Sequence, residues 1–331
     1  MNQLRKLFYL LLIIPILFLN TACDDDSTDP KEEVNEAEVL ATYLETNGDF
    51  INSTSAPATK RAEDVNAAIL ANDATWAILD IRATADYAAG HIKGAVNVPL
   101  KDIVTYYESN NLASKATVVL VCYSGQTAGY ATCLLRLLGY SNTYDLFLGM
   151  CSWNDATASG WKNAISNARA AELVATAANK NTAGELPVLS TGKTTGAEIL
   201  KARVTALLSS ADPFGDIKLS NSTLFANLSN YYIVNYWSAT DYAWGHINGA
   251  IQYTPKADLK LAASLKTLPT NKPVVIYCYT GTTSSFVSTY LKVLGYDAKT
   301  LLYGMNALAH DTMPGTKFDA ATHVHNYELV Q

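Results

Sequence analysis

Short apolar runs alternate along this chain with helical stripes. "VVLV" (118–121) stops at Cys122, gives way to the small polar residues of "YSGQTA" (123–128), and is followed by Ala131, Leu134, Leu135 and Leu138 before Gly139. The run reads as a buried strand, and the spacing i, i+3, i+4, i+7 reads as an amphipathic helix ended by glycine. The pattern returns in "VVIY" (274–277), Cys278, "YTGTTS" (279–284), then Val287, Tyr290, Leu291 and Leu294 before Gly295. Other apolar runs, "WAILDI" (76–81), "YDLFL" (144–148), "YYIVNY" (231–236) and "KTLLY" (299–303), alternate with helical segments. The class predicted is α/β: two units, each a small, mostly parallel sheet with helices on both faces.

These units are copies of one another. "ILDIRATADYAAGHIKGAVNVP" (78–99) matches "IVNYWSATDYAWGHINGAIQYTP" (233–255), with His91 paired to His246 at an offset of 155, and Cys122 pairs with Cys278 at an offset of 156. "LLRLLGYSNTYDLFLGM" (134–150) likewise matches "YLKVLGYDAKTLLYGM" (290–305). The boundaries expected are a domain over 56–160, a connector over 161–215 and a second domain over 216–331. In the connector, two amphipathic helical stretches flank a Gly/Pro/Thr-rich segment, the second of them a leading helix for the next domain.

The N-terminus departs from this pattern. Arg5 and Lys6 precede an apolar run of 13 residues, Leu7–Leu19, and small residues follow up to Cys23. A helix of that length spans about 20 Å at ~1.5 Å per residue, short of a ~30 Å hydrocarbon core, so residues 1–22 are expected to be an export signal. "LNTAC" (19–23) resembles a bacterial lipoprotein processing site, which implies a lipid on Cys23 and membrane attachment by that anchor only. The acidic start of residues 23–55 is expected to act as a solvated tether ahead of a leading segment, placing the protein on the periplasmic or surface side of a cell envelope. A net charge of −6 with scattered Lys and Arg argues against nucleic acid as a partner. Cys122, Cys133, Cys151 and Cys278 lack the paired spacing of a zinc site or a disulfide framework, and His310, His323 and His325 have no clustered carboxylates or cysteines beside them. No metal or organic cofactor is implied.

The thiols at the strand ends carry the candidate chemistry. In a parallel α/β sheet the strand-to-helix loops turn their N–H groups inward, and the following helix N-terminus favours an anion. A cysteine there is expected to have its pKa lowered and to act as a thiolate nucleophile. The cradle would be Tyr123, Ser124, Gly125, Gln126 and Thr127 in the first unit, and Tyr279, Thr280, Gly281, Thr282 and Thr283 in the second, with Gly125 and Gly281 letting the backbone curl.

With those residues in view, "LDIR…DYAAGHIKGAVNVP…VVLVCYSGQTA…LLGY…LFLGMCSW" resembles a rhodanese (thiosulfate sulfurtransferase) domain, and "GHINGAIQY…VVIYCYTGTTS…VLGY…LLYGM" resembles a second. The resemblance covers most of 62–155 and 220–306. It implies an enzyme whose cysteine takes a sulfane sulfur from a small donor, holds it as a persulfide and passes it to a thiol or cyanide. Cys122 is implied as the main nucleophile and Cys278 as a second or vestigial one. Asp80 and Arg82, with His91 and His246, are implied as structural supports. Asn235 and Trp237 replace that acid–base pair in the second unit, and neither loop carries a Lys or Arg to meet the thiosulfate dianion, so a persulfide donor fits as well. A phosphatase would need an arginine after the thiol, and both loops lack one. The rival reading is a non-catalytic sulfur-binding, redox-sensing or docking module, with Cys151 as a disulfide partner for Cys122.

Overall fold

Five strands of the first repeat, β1 (Thr59–Lys60), β2 (Trp76–Asp80), β3 (Ala95–Asn97), β4 (Thr117–Val121) and β5 (Thr143–Leu146), form an all-parallel sheet in the order β1-β5-β4-β2-β3. The second repeat builds the same sheet from β6 (Lys218–Leu219), β7 (Tyr232–Asn235), β8 (Ile251–Gln252), β9 (Val274–Tyr277) and β10 (Ala298–Leu301), in the order β6-β10-β9-β7-β8. The computed structural model describes residues 35–331, so the expected signal, Cys23 and the acidic residues before 35 lie outside it. Every residue of β4 and of β9 is buried, as continuous β-branched runs require when helices cover both faces of a sheet. The edge strands β1, β3, β6 and β8 are two or three residues long, too short to leave a periodic trace in the sequence.

The two repeats share a core. The helices that follow the cysteine loops, Gln126–Leu137 and Thr282–Val293, pack directly against one another, and the Cys133 thiol donates to the Phe286 carbonyl at 3.3 Å. The helix Glu36–Thr46 leads the first repeat and packs on its counterpart Gly196–Leu208, burying Leu40 and Leu44 against the second repeat's side of the same apolar cluster. Residues 35–331 therefore cluster as one compact unit.

Two arms cross between the repeats. The arm after the first repeat pairs with the second, with Val174 and His246 exchanging backbone hydrogen bonds of 2.9 Å in each direction. The arm after the second repeat pairs with the first, where His91 and Val330 exchange bonds of 2.9 and 3.0 Å. Trp153 Nε1 also donates to the Glu328 carbonyl at 2.8 Å, and Asn154 Nδ2 to that of Tyr327 at 2.8 Å. The repeat thus extends to "AELV" (171–174) and "YELV" (327–330). The connector needs a correction. Its first expected helix stops at Ala164, with one 3₁₀ turn at Ala170–Glu172, and the rest up to Thr195 is irregular chain laid along the second repeat. The alternation of small apolar and polar residues there records an extended arm rather than a helical face.

Candidate active site

Each cysteine follows its strand directly and sits below the N-terminus of a helix. Cys278 Sγ accepts hydrogen bonds from Gly281 N at 3.2 Å and Ser284 N at 3.4 Å. Gly281 holds φ +82°, a left-handed conformation that turns its N–H back onto the sulfur. Below the ring, Ser284 Oγ lies 3.6 Å from Cys278 Sγ and shares a 2.8 Å hydrogen bond with Thr300 Oγ1. The approach of the neighbouring turn demands a glycine too. A Cβ on Gly304, φ +53°, would come within 2.3 Å of the Cys278 carbonyl. Although only 4% exposed, Cys278 lines two cavities, one about 250 Å³ and the other about 240 Å³.

Repeat one reproduces this ring. Cys122 Sγ accepts from Gly125 N and Ala128 N, both at 3.2 Å, with Gly125 at φ +90°. The surroundings differ. Cys122 is 1% exposed and lines neither of the cavities at Cys278, and the cavity beside Tyr123, bounded by Arg82, Asp86 and Met150, does not reach it. Trp161 covers the loop, its indole N–H donating to the Ser124 carbonyl at 3.1 Å and its ring meeting that of Tyr303 edge-on at 4.9 Å. Gln126 ties the two loops together: its Oε1 accepts from Tyr303 N at 2.9 Å and its carbonyl accepts from Ser285 Oγ at 2.7 Å.

The electrostatics of Cys122 correct the expectation of a lowered pKa. Burial pushes the thiol up to about 11; the N–H groups of Ala128, Ser124 and Gly125 oppose that shift, and Asp145 adds to it. Burial therefore outweighs the amide ring. Asp145 itself is fully buried on β5 and neither carboxyl oxygen has a hydrogen-bond partner among the described residues. Burial holds this carboxyl well above the usual carboxylate range. Thr300 occupies the matching register in repeat two, where hydroxyls replace the acid.

Two strand-end thiols, each held by main-chain N–H groups at the mouth of a parallel sheet of identical order, agree with the match of residues 62–156 and 226–311 to the rhodanese-like domain family. The chain belongs to that family. GlpE, a thiosulfate sulfurtransferase of Pseudomonas fluorescens, is 36% identical over 76 residues, covering 23% of this chain and 68% of that protein. YrkF of Bacillus subtilis is 23% identical over 122 residues, covering 37% of this chain and 65% of that protein. The chain thus spans about two thirds of the length of these curated relatives. A solved thiosulfate sulfurtransferase from Pseudomonas aeruginosa aligns with 88% of this chain and 48% of its own at 18% identity, with a TM-score of 0.28.

The remaining rhodanese residues fall around these loops as supports. Arg82 grips Asp80 in a bidentate pair, Nε to Oδ1 at 3.0 Å and Nη2 to Oδ2 at 2.7 Å, and also donates to the Gly90 carbonyl at 2.8 Å. In repeat two, Asn235 Nδ2 donates to the Tyr277 hydroxyl at 2.8 Å, and the Trp237 ring stacks on Tyr279 at 4.5 Å. A polar pair is replaced by a hydrogen bond and an aromatic stack. The loop tyrosines are anchored alike, Tyr123 to Asp86 at 2.5 Å and Tyr279 to Asp241 at 2.6 Å. His91 and His246 each stack on a tyrosine of the preceding helix and bond its carbonyl through Nδ1, at 3.0 and 2.9 Å.

The other expected residues take up different places. Gln126 is buried at the junction of the repeats, while Thr280, Thr282 and Thr283 border the Cys278 cavity together with Arg61 and Phe147. Cys151 is 1% exposed, its amide donating to the Tyr123 carbonyl and its sulfur against Gly160, and both it and Cys122 are free thiols. His310 bonds Asp311 and the Phe318 carbonyl, and His325 faces Glu63 at 3.3 Å. Sequence reading missed Arg61 and Phe147 at the Cys278 site because they come from the other repeat; only their closeness in space marks them.

Proposed function

We propose that the chain is a sulfurtransferase in which Cys278 carries the sulfane sulfur and repeat one completes the walls of its site. The observation that supports this reading is the pairing of an amide-ringed thiol with cavities large enough for a small donor and acceptor. Cys278 thiolate attacks the outer sulfur of thiosulfate or of a persulfide, and the donor's S–S bond breaks with its electron pair leaving on sulfite or on the donor thiolate. The persulfide then passes its outer sulfur to a thiol or cyanide, and Cys278 leaves as thiolate. The ring of N–H groups stabilises the charge at both steps. This ordering reverses the sequence expectation that ranked Cys122 first, because Cys278 lines both cavities and Cys122 lines neither. The test is thiosulfate-to-cyanide turnover with intact-mass detection of one added sulfur, in the wild type, Cys122→Ser and Cys278→Ser. Loss of both signals in Cys278→Ser alone supports the reading; loss in Cys122→Ser alone would overturn it.

The N-terminal residues support a second part of the proposal, export and lipid attachment at Cys23, with the acidic stretch as tether in a bacterial envelope. Partition of the expressed full chain into a detergent phase, abolished by Cys23→Ala, is the expected result.

A further inference from the structure

Two chemically unlike cavities meet at Cys278. One, about 240 Å³, is bordered by Arg61, Thr59, Thr316 and the loop threonines Thr280 and Thr283. The guanidinium of Arg61 stands over the Phe147 ring, 5.5 Å from its centroid, and this pair brings to the loop the positive charge that the loop itself lacks. The other, about 250 Å³, is walled mainly by Ile51, Ala56, Trp237, Phe286 and Val287, with Thr283 shared between the two, Asp241 in its wall and Lys256 at its exposed rim. Tyr279 belongs to both walls, held in place by its stack on Trp237 and its bond to Asp241.

We infer that Cys278 is loaded and unloaded from different sides: a small oxyanion donor enters beside Arg61, and an organic thiol with an apolar body sits against Trp237. The inference rests on the reading of Cys278 as the sulfur carrier and adds the class of its acceptor. The polar recess with Arg61 favours a dianion through charge-assisted hydrogen bonds, whereas the mostly apolar recess against Trp237 rewards a thiol that buries carbon. The chemistry balances without an outside oxidant. The donor's S–S bond breaks with its electron pair on sulfite, and the acceptor thiolate then takes the outer sulfur while Cys278 departs as thiolate, leaving the acceptor as a persulfide.

The test uses the folded chain with thiosulfate as donor and either cyanide or thiophenol as acceptor. In Arg61→Met the KM for thiosulfate is expected to rise about tenfold or more, the scale of one lost charged hydrogen bond, with the KM for thiophenol unchanged. In Ala56→Leu, which narrows the apolar recess, the KM for thiophenol rises and that for thiosulfate holds. Should Ala56→Leu fold poorly, p-cresol added to the wild type gives the same readout, competing with thiophenol while leaving the thiosulfate KM within about twofold. Parallel shifts of both KM values in either variant, or p-cresol competing equally with donor and acceptor, would overturn the two-sided site. Failure of the wild type to accept sulfur at all refutes the carrier reading itself, and this inference falls with it.

Discussion

Asp80 and Arg82 are two residues apart in sequence, yet their value is set by burial. Arg82's side chain is 4% exposed and Asp80's fully buried, so Asp80→Ala would strand a guanidinium among apolar groups, at a cost of about 3–5 kcal/mol. Asn235→Ala, the matching change in repeat two, removes one neutral donor to Tyr277 and should cost only about 1–3 kcal/mol. Chemical denaturation of the two variants checks the difference. Asp145 gives a pH-dependent counterpart. Its folded-state pKa is raised, so between the ordinary carboxylate value near 3.9 and the folded one the unfolded chain has lost a proton that the folded chain keeps. Stability contributed by this site falls as pH rises through that window, by at most about 1.4 kcal/mol per pH unit. Asp145→Asn is therefore expected to be more stable than the wild type at pH 8, with the gap closing towards pH 4. A wild type that gains stability relative to the variant as pH rises would contradict this.

At the scale of elements, the same strand–loop–helix unit has been put to two uses. The turn around Cys278 borders two cavities, while that around Cys122 is capped at its Ser124 carbonyl by Trp161 and stitched to its neighbour by Gln126. Trp161→Ala should therefore expose Cys122. Peptide mapping after iodoacetamide treatment is expected to find residue 122 labelled in that variant and protected in the wild type. The loop helices were legible as amphipathic stripes, but their opposite faces, with Gly129, Ser285, Ser288 and Thr289, proved equally buried. Small and hydroxyl residues read as polar surface in a sequence, and only the partner helix shows that they are close-packed and satisfied within a junction.

For the whole molecule, the crossing arms make each repeat depend on the other's tail. Removing residues 324–331 should loosen the first repeat, which is distant in sequence, more than the second, which is adjacent. Hydrogen exchange is expected to speed up at residues 90–92 and 152–154, where Val330, Tyr327 and His325 now bond the backbone, and to change little around His246. Such an arrangement also explains why residues 35–331 form one unit although the repeat itself is about half that long.

The sequence by itself determined what is local and repeated. It set the alternation of strand and helix, the duplication, the strand-end position of each cysteine and the glycines behind it, because these follow from side-chain period and backbone sterics within a few residues. Only the tertiary structure decided which thiol borders a cavity, which distant side chains share that cavity and which tail completes which repeat. Burial and access depend on groups brought together from far along the chain: Arg61 and Phe147 share a cavity with Cys278, and Trp161, against Tyr303, bonds the Ser124 carbonyl of the Cys122 loop. The pKa shift of Cys122 shows the physical reason, since the amide ring is encoded locally whereas the desolvation that outweighs it comes from the whole fold.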